Sequence, residues 1–296
     1  MTINSVEIVD TFAEAFPMTA TRLIVTADSP SWARIAASES TGFAASVIGC
    51  DCEAGLERTL SPDETPDGRP GVSLLLFAFS RDSLQQAAIN RVGQCVLTCA
   101  TTACYNGLPI DPARSIKIGG NLRFFGDGWQ ISKKLDGRRF WRIPVMDGEF
   151  VCEDVFGTVK GVAGGNFLIL GRTREASLAA AEAAVEAIGQ VPGVILPFPG
   201  GIVRSGSKVG SRYAKLKAST NDAYCPTLRG QVTTALTDEI NAVYEIVIDG
   251  IDLAAVQKAT QVGIRAACGP GVVRITAGNY GGTLGPFHIK LHEVMG

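Results

Sequence analysis

The sequence predicts an α+β protein of two ferredoxin-like (split β-α-β) lobes, each with helices on one face of an antiparallel sheet. Three observations predict it. The order strand, helix, strand, loop, strand, helix, strand runs through the chain twice, and the helical segments are Ala-rich and sharply bounded. The 296 residues are 46% hydrophobic and only 19% charged, which supplies a substantial core. The lobes are expected as residues 1–144 and 145–296, with the boundary near Arg142–Pro144.

In the first half Thr21–Thr26 alternates like a strand, Ser29 or Ser31 can cap the helix Trp32–Thr41, Gly42 ends it, and Phe43–Ile48 returns as strand. A long turn-rich excursion follows. Gly71–Phe79 then reads as strand, Arg81–Arg91 as a helix ending near Gly93, and Cys95–Cys99 as a further strand. In the second half Asn166–Leu170 is a strand, Arg174–Ile188 an Ala/Glu-rich helix ended by Gly189, and Val194–Leu196 a short strand. After a Gly/Pro/Ser-rich insertion come strand Ala242–Ile248, helix Leu253–Ala267 and strand Val272–Thr276. Such lobes cover one sheet face and leave the other for partners, so pairing between lobes and between subunits is expected.

Apolar runs are short and the segment Met1–Asp10 is acidic, so neither a spanning helix nor a leader is expected and the protein is placed in the cytoplasm. A net charge of −2 argues against nucleic acid and anionic membranes as partners and for small molecules. The eight cysteines lack paired Cys-x-x-Cys spacing; Cys95, Cys99 and Cys104 form the tight group, for which core packing is the default over a metal. His288 and His292 cannot complete a zinc site alone and read as surface or interface residues.

Gly201 and Gly206 are spaced like a nucleotide loop, but Ser207 stands where Lys must follow the second glycine, and Lys208 is displaced by one. The segment Pro197–Lys208 therefore reads either as a solvated basic loop or as a ligand loop, with Arg204, Lys208, Arg212, Lys215 and Lys217 able to meet an anionic tail. Gly161–Asn166 lacks dinucleotide spacing and leads into a strand, and Thr65–Gly71 is a turn. Glu245 is different. It is a lone carboxylate within a β-branched strand, and alternation puts it on the Val243 and Val247 face. Either that face is solvated and Glu245 is a surface residue, or it is dry, in which case desolvation raises the pKa until a neutral carboxylic acid can donate a hydrogen bond to an oxyanion.

Asp10–Pro17, Glu64–Gly71, Gly93–Thr98, Gly164–Phe167, Pro197–Gly201, Tyr244–Ile248 and Ala277–Gly282, taken together and in this order, resemble formylmethanofuran:tetrahydromethanopterin N-formyltransferase over essentially the whole chain. The resemblance implies an enzyme without a prosthetic group that reversibly moves a formyl group between methanofuran and N5 of tetrahydromethanopterin. It implies two split β-α-β lobes, dimers that pair into homotetramers, and direct attack in a ternary complex with no covalent enzyme intermediate. The family's buried catalytic glutamate falls on Glu245. Family likeness and glycine density point to Pro199, Gly200, Gly201, Arg204, Ser205, Gly206, Ser207, Lys208, Ser219, Asn221, Asn279 and Tyr280 as coenzyme contacts. Asp136–Val151 is similar to the bacterial methylotroph branch, which implies hydrolase subunits as partners in a formyltransferase/hydrolase complex. A non-catalytic coenzyme-binding or scaffold subunit of such a complex is the alternative.

Overall fold

The computed structural model describes residues 1–296. Contacts divide the chain into a central lobe, Met18–Gly161, and a terminal lobe, Met1–Pro17 with Val162–Gly296. This division differs from the expected 1–144 and 145–296. The chain changes lobe within two long strands, β1 (Phe12–Thr26) and a later one spanning Val159–Gly171, and a cut after Pro144 falls inside the strand Arg138–Val145.

The central lobe takes the second part of β1, then α1 (Pro30–Thr41), β2 (Glu53–Leu60), β3 (Gly71–Ala78), α2 (Arg81–Arg91) and β4 (Ala103–Asn106). Strand β3 pairs antiparallel with both β1 and β2, and β4 pairs antiparallel with β1, so the order is β4-β1-β3-β2. This is the split β-α-β arrangement. Ser29 accepts from Trp32 N (3.3 Å) and Ser80 from Ser83 N (3.1 Å), starting the two helices. Each buries a narrow stripe, Ala33, Ala36, Ala37 and Ser40 in α1 and Leu84, Ala87, Ala88 and Arg91 in α2.

Two expected strands are absent from this lobe. Phe43–Ile48 is wound into turns, with Phe43 at φ 50°, and the strand that follows α1 is Glu53–Leu60, within the stretch read as an excursion. The backbone groups of Phe43–Ile48 are used locally instead: Gly49 N and Cys50 N donate to Ser46 O (3.0 and 2.8 Å), Val47 N donates to Glu53 Oε1 (3.0 Å), and Arg91 donates to Phe43 O at the segment's start. Cys95–Cys99 fails for a different reason. The helix runs on as a π turn, with Leu97 N donating to Val92 O (2.8 Å), which buries Val92 and Val96 together; the strand follows at β4. A meander of β5 (Ile131–Leu135), β6 (Arg138–Val145) and β7 (Gly148–Glu153) joins β4 in parallel through Cys152 opposite Cys104. In the Thr65–Gly71 turn Arg69 donates to Asp28, Asp67 and the Thr101 carbonyl, which makes the turn structural.

The terminal lobe repeats the plan with β8 (Val159–Gly171), α3 (Arg174–Ile188), β9 (Val194–Ile195), β10 (Ala242–Gly250), α4 (Leu253–Ala267) and β11 (Val272–Thr276). The pairings give the order β11-β8-β10-β9. Thr173 and Asp252 accept from Ala176 N (3.1 Å) and Ala255 N (2.8 Å) at the helix starts. Phe167, Ile169, Ile246, Ile248 and Ile275 face Ala180, Ala181, Ala184, Val256, Ala259 and Ile264 in the core. Gly263 is required where the layers meet, since a Cβ there would lie 2.7 Å from Ile188 Cδ1 and 3.0 Å from Phe167 Cζ. The other sheet face is not left bare. Leu168, Leu170, Val243 and Val273 pack with Tyr224, Leu236 and Ile240, which belong to the insertion between β9 and β10. At the lobe's edge β12 (Phe287–Lys290) pairs antiparallel with Phe12–Ala15.

Candidate active site

Glu245 sits in the middle of β10, opposite Leu168 of β8 on one side and bridged to Val203 on the other, where Val203 N donates to Glu245 O (2.8 Å) and Glu245 N to Val203 O (3.0 Å). Alternation sends Ile246 and Ile248 to the helices and leaves Glu245 beside Val243 on the opposite face. That face is covered by the insertion, so the carboxyl is held in a half-dry place. It lines a cavity of about 380 Å³ with Leu168, Val203, Val243, Tyr224 and Pro226 on the apolar side and Arg204, Ser205, Asn221 and Thr227 on the polar side. Loss of hydration alone raises Glu245 from the ordinary 4.5 to about 7. The carboxyl is thus poised between donor and base at neutral pH.

Tyr280 lies near enough to the carboxyl to feel its charge. Burial first, then the nearby Glu245 charge, lift its phenol above the ordinary value, while a hydrogen bond with Ser207 pulls the other way. The fold therefore brings Glu245, Arg204, Ser205, Gly206, Ser207, Asn221 and Tyr280 into one neighbourhood. Gly206, at φ 57°, turns the chain there.

Other residues singled out in the sequence have different occupations. Pro199, Gly200 and Gly201 form a tight turn, and Gly201 lies buried where a Cβ would be 2.9 Å from Leu196 and Val185 side-chain atoms. They are not among the residues around the carboxyl. Lys208 pairs with Asp222 (2.6 Å), and that bond holds the Asp222 carboxyl below its usual range. Ser219, opposite Lys208 in a short hairpin, donates to Gly210 O (2.7 Å); Lys208 and Ser219 line a neighbouring cavity of about 610 Å³ with Arg212 and Tyr213. Asn279 is committed to Thr11 Oγ1 and Phe12 O, both at 3.1 Å.

The sequence reading missed Tyr224, Pro226 and Thr227, and it missed Glu14. Glu14 is 1% exposed and accepts from the backbone N–H groups of Tyr280 (3.1 Å), Leu284 and Gly285 (both 3.3 Å). Its burial pushes the carboxyl up, but the donors at Tyr280, Gly285, Gly282 and Leu284 outweigh that and hold it below the ordinary carboxylate value. The available signal was the one that marked Glu245, a lone acid within an apolar strand. No three His, Cys, Asp or Glu side chains converge as a metal site. His292 contacts Ile8 O (2.8 Å) and the terminal amine, and His288 packs on Phe12.

Comparison with known proteins identifies the family. Residues 1–145 match the family described as formylmethanofuran-tetrahydromethanopterin formyltransferase, and residues 148–294 match the proximal lobe of the same family. A relative in Methylococcus capsulatus, named formylmethanofuran–tetrahydromethanopterin formyltransferase, is 59% identical over all of both chains. A relative in Methylorubrum extorquens, named as one subunit of a formyltransferase/hydrolase complex, is 54% identical, covering 99% of this chain and 97% of the relative. Among solved structures, the Methanosarcina barkeri formyltransferase superposes with a TM-score of 0.95 at 48% identity, covering 99% of this chain and all of the other. The formyltransferase/hydrolase complex of Methylorubrum extorquens with methylofuran superposes with a TM-score of 0.97 at 53% identity, covering 100% and 99%.

Proposed function

The chain belongs to the formylmethanofuran–tetrahydromethanopterin formyltransferase family, enzymes of formyl transfer between those two coenzymes, and from that premise we propose that Glu245 acts as a neutral acid in the transfer. The observation that carries the proposal is the placement of Glu245 on the covered face of β10, lining a cavity of about 380 Å³, where lost hydration raises the carboxyl to about 7. In a ternary complex N5 of tetrahydromethanopterin attacks the formyl carbon of formylmethanofuran. A C–N bond forms, and the carbonyl oxygen takes the negative charge of a tetrahedral intermediate. Neutral Glu245 donates a hydrogen bond to that oxygen. Collapse breaks the bond to the methanofuran nitrogen; the proton lost by N5 balances the one gained by the departing amine. A donor aimed at a developing oxyanion contributes about 3–4 kcal/mol. The remaining acceleration comes from holding two coenzymes in register, for which orientation is worth roughly 7–11 kcal/mol.

Arg204, Ser205, Ser207, Asn221 and Tyr280 are the side chains supported as contacts with the reacting heads. The relative in Methylorubrum extorquens supports hydrolase subunits as partners of this chain, and co-elution with them on native purification is the check. The purified chain, given formylmethanofuran and tetrahydromethanopterin, is expected to form N5-formyl-tetrahydromethanopterin, followed by pterin absorbance. Binding of both coenzymes without transfer would instead favour a non-catalytic subunit.

A further inference from the structure

Two acids of the terminal lobe are buried with opposite consequences: Glu245 is driven toward neutrality, and Glu14 is held charged. Glu14 lies on β1, opposite His288 of β12, and no Lys or Arg pairs with it; backbone N–H groups of one loop meet its charge. That loop, 278–285, is also the one that carries Tyr280. Its start is fastened by Asn166, which accepts from Gly278 N (2.6 Å) and donates to Gly278 O (3.2 Å), and by Asn279 on Thr11 and Phe12. Its end is pressed against β1, where a Cβ on Gly285 would lie 2.5 Å from Ala15 O. Between these points Gly281 and Gly282 take φ +71° and +74°, a path that side chains other than glycine rarely follow. Only a carboxylate offers enough acceptor sites for several converging donors; an amide has one oxygen and a clashing NH₂.

We infer that Glu14 is a positioning residue, whose carboxylate gathers the N–H groups of Tyr280, Leu284 and Gly285 and so fixes the one loop shape that sets the Tyr280 side chain beside Glu245. This rests on the assignment of Glu245 as the neutral acid of the transfer. Glu14 touches neither coenzyme; it acts through Tyr280, and its removal therefore costs nothing further once the Tyr280 hydroxyl is gone.

The test is a double-mutant cycle on the full chain with Glu14→Gln, Tyr280→Phe and the pair, read as kcat and as KM for each coenzyme. Glu14→Gln is expected to lower kcat about tenfold with KM for each coenzyme within about threefold, and the pair to be no slower than Tyr280→Phe alone, within the range of couplings measured for neighbouring residues. Glu14→Asp, which keeps the charge, is expected to restore part of kcat. Gly285→Ala, which pushes the loop off β1 from the other end, is expected to reproduce the loss and the lack of additivity should Glu14→Gln fail to fold. Amide exchange at Tyr280, Leu284 and Gly285 without coenzymes is expected to be slow in wild type and at least about tenfold faster in Glu14→Gln. Multiplying effects of Glu14→Gln and Tyr280→Phe overturn the inference, and so does unchanged amide exchange, whatever the transfer assay gives. Full activity of Glu245→Gln in the same assay overturns only the Glu245 reading, so the two failures are distinguishable.

Discussion

Glu245→Gln is expected to leave a folded chain that binds both coenzymes and transfers the formyl group on the order of 10² to 10³ times more slowly in kcat. Glutamine keeps the size of the side chain and its place between Leu168 and Val203, so the strand pairing should survive. It is also neutral at every pH, which removes the desolvation that lifts Glu245 to about 7. What it cannot do is present an acidic O–H to the intermediate's oxygen; an amide N–H is a weaker donor and cannot pass its proton on. Because the interaction strengthens as charge develops, the loss should appear in kcat and kcat/KM alike, with KM nearly unchanged. Steady-state kinetics with each coenzyme varied in turn decide it, and a variant as fast as wild type would remove Glu245 from the chemistry.

The second large effect lies beneath the site. Phe167→Ala is expected to destabilise the chain by about 3–5 kcal/mol in chemical denaturation, because it removes a fully buried ring and leaves a cavity. The ring lies against α4 at Gly263, which has no side chain of its own to fill the space. Phe167 also precedes Leu168, the residue opposite Glu245. Slackening β8 there is expected to wet the Glu245 cavity as well. A loss under about 1 kcal/mol would mean that the layer repacks freely and that α3, α4 and the sheet are not the rigid backing described.

The helices were legible nearly to the residue. Arg174–Ile188 and Leu253–Ala267 carry small apolar residues at helical spacing behind Thr173 and Asp252, and local capping chemistry sets their starts. Repetition of the plan in both halves was legible too, because each β-α-β unit has its own periodicity. Phe43–Ile48 and Cys95–Cys99 were not: side-chain partners at Glu53 and Arg91 hold the first in turns, and a π turn, which periodicity does not signal, carries the second on from α2. The contact units divide at Pro17 and Gly161 instead of near Pro144, because β1 and β8 each run from one unit into the other. The strand marked Glu245 as a lone carboxylate among β-branched residues without deciding whether its face was dry, and only the resemblance pointed to a role in the transfer. The local sequence could not show what Asn279 and Ser219 bond to within the fold. An amide or hydroxyl near glycines serves a backbone carbonyl as readily as a ligand, and only the fold shows Phe12 O and Gly210 O as their partners.

The central claim is that lost hydration keeps Glu245 protonated in good part up to neutral pH, and its pH behaviour follows from that. A carboxyl raised from 4.5 to about 7 favours the folded chain fully below pH 4.5, and this contribution is lost as pH rises through 7, since the folded state binds the extra proton in that window. Arg204, Ser205, Asn221, Tyr224, Cys225 and Thr227 line the same cavity, and Tyr280 lies near enough to feel the carboxyl's charge. The most direct test is a carbon-13 titration of glutamate carboxyls, with the Glu245 signal assigned by its disappearance in Glu245→Gln. Glu245 is expected to titrate at about 7 in the free chain and no lower with both coenzymes bound. A midpoint at the ordinary 4.5 in both states would contradict a dry, neutral Glu245.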